Sequence, residues 1–154
     1  MAEPLALVEG KLLLTCGACG QKNAVPPAGL RSGPVCGRCH ADLAPPDRPL
    51  ELDDAGLERL LAESALPVLV DFWGPQCGPC RMLAPILESF ARKARGRALI
   101  AKVDTSRHTR AAVRLGVSSI PCLILFQRGQ ELRRQLGLVP ERVLEGMLAC
   151  ALPA

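Results

Sequence analysis

Aromatic side chains are nearly absent from this chain of 154 residues: it has no tyrosine, one tryptophan and three phenylalanines. A core of ordinary size must then be filled by Leu, Val, Ile and Ala, with Trp73, Phe72, Phe90 and Phe126 as rare large side chains. An excess of one charge is missing too. The formal net charge is +4 and the basic residues are spread among acidic ones, which argues against a nucleic-acid or membrane partner. No apolar run approaches the length of a transmembrane helix. Residues Met1 to Lys11 lack an early basic region and break their apolar run at Glu3 and Glu9, so they do not read as an export signal. The expectation is a soluble, cytoplasmic protein. Its length suits one ordinary domain with a small appendage.

What the chain does have is cysteine. Structural disulfides do not persist in a reducing cytoplasm, so eight cysteines point to metal and redox chemistry. Cys16, Cys19, Cys36 and Cys39 follow the pattern C-x2-C-x16-C-x2-C, within the range of a four-thiolate zinc site. Gly17, Gly20 and Gly37 suit the tight knuckle turns, and His40 occupies a position where positive φ is tolerated. About forty-five residues with few large apolar side chains cannot hold a core alone, whereas one structural zinc ion can supply the missing folding free energy. Rival readings are a second redox dithiol, an iron site, His40 replacing a cysteine as ligand, and c-type haem attachment at Cys36-Gly-Arg-Cys39-His40. Haem leaves the first C-x-x-C unexplained.

The proline-rich segment Ala44 to Pro49 marks a boundary. It divides the chain into a four-cysteine module (1–44), a linker (45–49) and a second domain (50–154), whose core is expected to be separate. In the second domain Leu50 to Leu52 can form a short strand, and Asp53 or Asp54 can cap a helix. Val68 to Trp73 has the content of a buried strand, and Met82, Leu83, Ile86, Leu87 and Phe90 then recur at helical spacing. Pro85 lies within that helix and should bend it. A strand over 98–104, a helix over 107–115, a hairpin through Arg128-Gly129-Gln130 and a last helix from Pro140 to about Cys150 complete the order β-α-β-α-β-α-β-β-α. The fold class is α/β, a mixed sheet covered by helices on both faces.

Cys77 falls at the start of the helix after Trp73, where unpaired amides and the helix dipole favour a thiolate, the nucleophile of disulfide exchange. Cys80 lies one turn on, close enough to close a disulfide. Gly78 and Pro79 shape that turn. Asp71, inside an apolar strand, is costly without a function and is the candidate base for Cys80.

The run Asp71-Phe72-Trp73, Cys77-Gly78-Pro79-Cys80-Arg81 and the downstream Ile120-Pro121 resemble the thioredoxin family, and the amino-terminal knuckles are most similar to its zinc-containing branch, often called thioredoxin two. The resemblance implies the thioredoxin fold and a protein-disulfide reductase. Cys77 would attack a substrate disulfide, Cys80 would resolve the mixed disulfide, and Lys102 would stand beside Asp71, the alternative for Lys102 being a solvated strand-edge lysine. It further implies a cis bond before Pro121, a trans turn being the alternative, and a substrate surface of Trp73, Gln76, Gly78, Pro79, Ile120, Pro121 and Gly137. The implied partners are protein disulfides and a flavin- and NADPH-dependent thioredoxin reductase. The expected state is a monomer without a bound organic cofactor. Two positions depart from the family pattern: Gln76 replaces a usual tryptophan, and Cys122 a usual threonine. Cys122 and Cys150 read as small buried hydrophobes. Competing functions are a redox-regulated chaperone or adaptor, and an oxidase or isomerase, although Gly-Pro between the cysteines resembles reductases.

Overall fold

The computed structural model describes residues 5–151; the outermost parts of the expected first and last domains, 1–4 and 152–154, lie outside the described residues. Three short antiparallel strands come first, β1 (Leu7–Val8), β2 (Lys11–Thr15) and β3 (Lys22–Val25), followed by a 3-10 helix at Pro27–Ser32. Leu12 and Leu14 alternate with exposed residues on β2, the period of a strand buried on one face.

The rest is a five-stranded mixed sheet in the order β4-β6-β5-β7-β8, formed by β4 (Leu50–Glu51), β5 (Val68–Trp73), β6 (Leu99–Asp104), β7 (Cys122–Gln127) and β8 (Gln130–Leu136). β4, β5 and β6 run parallel, and β7 and β8 are antiparallel. The connecting helices are α1 (Asp54–Glu63), α2 (Gly78–Lys93), α3 (Arg110–Arg114) and α4 (Glu141–Leu148). This is the mixed α/β sheet expected from the sequence.

Side-chain alternation sorts the strands onto two cores. Val68, Val70 and Phe72 pack with α1 and α3, whereas Leu69 and its neighbours Ile100, Leu123 and Leu125 pack under α2 and α4. Asp53 caps α1 by accepting a 2.7 Å hydrogen bond from the Gly56 amide. α2 continues through Pro85 as one helix.

Four expectations are corrected. The module does not have a separate core: Leu12, Leu14, Val25, Leu30 and Leu43 belong to the same buried cluster as Leu50, Leu57, Val70 and Phe72. Pro46 and Pro49 of the intervening segment are themselves buried, and the Leu5 carbonyl accepts a 2.8 Å bond from the Glu51 amide, adding a bridge at the β4 edge. The third helix is shorter than 107–115, because the Asp104 carboxylate accepts from the Ser106 amide and hydroxyl and holds a turn that delays it. Met82 is 63% exposed, since Cys80, Leu83, Leu87 and Phe90 already fill the buried face of α2. Cys150 is exposed as well, because α4 ends at Leu148 and its inward positions are taken by Leu144, Met147 and Leu148.

Candidate functional site

The dithiol stands where a buried strand hands over to a helix. β5 ends at Trp73, the chain turns through Gly74 to Gln76, and Cys77 becomes the N-cap of α2, with its Sγ 3.2 Å from the Cys80 amide that donates to it. Pro79 occupies the first turn, where its missing donor costs nothing. Cys77 and Cys80 are joined as a disulfide with Cα atoms 5.3 Å apart. Cys80 is buried, while Cys77 is partly exposed and Gln76, Gly78 and Pro79 around it are exposed. A sulfur at a helix N-terminus that is open to solvent on one side is placed for attack by, or on, another sulfur.

Across from Cys77 lies the start of β7. The Ile120–Pro121 bond is cis, and the Ile120 carbonyl is 3.9 Å from the Cys77 Sγ. Ile120 is exposed, Pro121 is buried, and Gly137 at φ +82° donates its amide to the Pro121 carbonyl at 2.9 Å. A side chain at Gly137 would be strained by that φ.

Asp71 is the single buried charged residue among the described residues, 1% exposed, and neither oxygen has a hydrogen-bond partner. The alternation of β5 turns it away from Val70 and Phe72, towards the side covered by α2. Burial pushes its carboxyl up to about 7, the Lys102 ammonium pulling down and Glu51 pushing up. Lys102 lies opposite Asp71 in the β5–β6 register, with its side chain only 16% exposed. It is therefore not a solvated edge lysine. Its Nζ is 4.7 Å from the centroid of the Trp73 ring and 3.9 Å from Glu51 Oε1. Glu51 was not foreseen; only the alternation Leu50-Glu51-Leu52 hinted that it faces away from the leucines. Cys122 is fully buried, as expected of a small hydrophobe, and burial pushes its thiol up. The exposed Cys150 receives a 3.3 Å contact from Arg133 Nη1 instead.

The amino-terminal module brings its four sulfurs together, all within 4.8 Å of one another. Cys16 Sγ and Cys39 Sγ are 3.6 Å apart, and Cys19 Sγ and Cys36 Sγ 3.7 Å. Metal–sulfur bonds of about 2.3 Å in a tetrahedron give edges of about 3.8 Å. The amides of Ala18 and Arg38 each lie 3.4 Å from a sulfur, on Cys16 and Cys36, and Asn23 Nδ2 is 3.6 Å from Cys36 Sγ. Backbone donors, led by that of Cys39, pull the Cys36 thiol down to about 6, and those led by Cys19 pull the Cys16 thiol down. The knuckles repeat one turn: Gly20 and His40 donate to the carbonyls of Cys16 and Cys36, at φ +78° and +63°. His40 is not part of the cluster. This donor set fits a metal ion that prefers thiolates.

The family model described as Thioredoxin matches residues 48–149. The chain belongs to the thioredoxin family. Thioredoxin C-3 of Corynebacterium nephridii is 38% identical over 134 residues, covering 87% of this chain and 90% of that protein. That span is longer than the sheet domain, so it runs into the cysteine module. A Synechocystis thioredoxin is 38% identical over 98 residues, 64% of this chain and 92% of its own length. The structure of a thioredoxin variant from Halobacterium salinarum superposes with a TM-score of 0.63 at 33% identity, covering 68% of this chain and 91% of that one. The mixed five-stranded sheet is thus a thioredoxin fold, preceded by a three-stranded module with a four-cysteine cluster that could hold a metal ion. Cys77 and Cys80 are the disulfide-forming pair of a thioredoxin-type oxidoreductase, a class that acts on disulfide substrates. No helix among the described residues is long and apolar enough to cross a membrane.

Proposed function

We propose that the chain reduces disulfides of cytoplasmic proteins as a monomer and is recharged by a flavin- and NADPH-dependent thioredoxin reductase. The observation that carries this reading is the asymmetry of the pair: Cys77 is open to solvent at the helix N-terminus, and Cys80 is buried behind it. The Cys77 thiolate attacks one sulfur of the substrate disulfide and expels the other as a thiolate, leaving a mixed disulfide. Cys80 gives its proton to the Asp71 carboxylate, attacks Cys77 Sγ, and releases the second substrate sulfur. Two electrons pass to the substrate and the enzyme ends oxidised. Lys102 tunes Asp71, and Trp73, Gln76, Gly78, Pro79, Ile120, Pro121 and Gly137 form the surface on which an extended substrate segment pairs. The metal is zinc, held by Cys16, Cys19, Cys36 and Cys39, and when bound it clamps the knuckles in place.

The Cys80→Ser variant is expected to accumulate covalent mixed disulfides with protein substrates, and Cys77→Ser to be inert in insulin reduction. Undiminished reduction by Cys77→Ser would remove the mechanism. A standard potential near about −270 mV, against about −120 mV for a strong oxidant, separates the reductase from an oxidase.

A further inference from the structure

Three residues on adjacent parallel strands form a row across the sheet. Glu51 on β4 pairs in register with Lys102 on β6, and Lys102 with Asp71 on β5. Alternation turns all three to the same face, because their neighbours Leu50, Leu52, Ala101, Val103, Val70 and Phe72 point into the opposite core. The row thus reads carboxylate, ammonium, carboxylate, from the sheet edge inward. Its inner carboxylate has no hydrogen-bond partner, whereas its ammonium is 3.9 Å from the outer one. The outer carboxylate opens into a cleft of about 540 Å³, one wall of which is Ala6 and Leu7 of the amino-terminal module.

We propose that Glu51 is a positioning residue for the dithiol reaction: it shares the Lys102 ammonium with Asp71 and so sets how firmly Asp71 holds its proton. This rests on the reading of Asp71 as the base for Cys80. Two effects of Glu51 act in one direction. Drawing the ammonium towards the edge deprives Asp71 of its cation, and the negative charge of Glu51 itself disfavours a second carboxylate behind it. Lys102 and Glu51 are the two charges felt at Asp71. Burial holds the Glu51 carboxyl above its ordinary range, Lys102 opposes this, and Asp104 on β6 adds to it. The other titratable groups around the row are Asp53, Arg107 and His108 along the cleft and Cys80 on α2, while Cys122 on β7 is turned to the opposite core.

The test is to follow the Asp71 carboxyl carbon by nuclear magnetic resonance through a pH titration of the oxidised full chain. Wild type, Glu51→Gln, Lys102→Met and the double variant are compared. Glu51 is partly exposed and glutamine has the same shape, so the fold is retained. Glu51→Gln is expected to lower the Asp71 midpoint by about one pH unit. In the Lys102→Met background the same substitution should move it less, because only direct repulsion is left to remove. An unmoved midpoint, or an equal shift with and without Lys102, overturns the shared-ammonium arrangement. Kinetics test the underlying reading separately: the acid limb of insulin reduction should follow the midpoint downward in Glu51→Gln and flatten in Asp71→Asn. An acid limb unaltered by Asp71→Asn removes Asp71, and Glu51 with it, from the reaction, whatever the resonance titration shows.

Discussion

Replacing Asp71 with asparagine is expected to stabilise the protein progressively as pH rises, with little pH-dependent effect at the acid end. The carboxyl is 1% exposed, without a partner for either oxygen, and is pushed from 3.8 up to about 7. Between those values the native state keeps a proton that the unfolded chain has released. Stability therefore falls as pH rises through this window, and the whole penalty is in place above the folded value. A displacement of about 3 units (7 − 3.8) corresponds to about 4 kcal/mol, an upper bound because the site relaxes around the charge. Asparagine brings its own cost, an amide with unpaired donors worth about 1–3 kcal/mol, but that cost does not titrate. The informative quantity is thus the stability difference between variant and wild type, followed from about pH 4 to about pH 9. Urea unfolding of the oxidised proteins, read by the fluorescence of Trp73, supplies it. The difference should grow in favour of Asp71→Asn by up to about 4 kcal/mol, with most of the change between about pH 4 and about pH 7. A difference that stays constant over this range would mean that Asp71 titrates like an exposed carboxylate, and the argument from burial would fail.

Two further outcomes are expected. Gln76→Trp adds apolar surface beside Cys77 worth about 1–2 kcal/mol when a partner covers it, so it should lower the Michaelis constant for a protein disulfide about tenfold while barely changing the rate with a small aromatic disulfide. Equal gains with both would show that position 76 acts on the Cys77 thiolate instead. Leu12→Ala, at a fully buried module position, should cost about 2–5 kcal/mol and lower one common unfolding transition, whether read by Trp73 fluorescence or by overall circular dichroism. Loss of module structure with an unmoved Trp73 transition would refute the shared core.

The dithiol and its strand were legible in the sequence because their determinants are contiguous. The apolar residues around Asp71 in 68–73 must be buried, Pro79 suits a first turn, and the next helix shows its period within ten residues. The four-cysteine cluster was legible for a different reason, since its spacing itself encodes two knuckles. What stayed hidden depends on pairings between distant strands. Glu51 acquires meaning only when β4 registers with β6, and nothing local distinguishes it from a solvated glutamate. The shared core was missed because Leu12, Leu14, Leu30 and Leu43 look too few to make a core, which is true, and they do not make one by themselves. Cys150 and Met82 failed as core residues because periodicity counts positions and not the room left on a face that larger side chains have already filled.

The shared core also bears on how the module and the dithiol are coupled. β4 has two residues and sits at the edge of the sheet, a position with little holding power of its own. It is fixed from both sides. Leu50 and Leu52 lie in the cluster that contains Leu12, Leu14, Cys16 and Cys36, and the Glu51 amide donates to the Leu5 carbonyl. Between those leucines, the Glu51 side chain faces Lys102 and, through it, Asp71. Two of the four clustered sulfurs, those of Cys16 and Cys36, thus belong to the same buried cluster as the leucines on either side of Glu51. A change that loosens the knuckles loosens the packing that holds β4, and with it the distance at which Glu51 competes for the ammonium. The coupling needs no contact between the four-cysteine cluster and the disulfide, because the buried cluster that holds Cys16 and Cys36 also holds Leu50 beside Glu51.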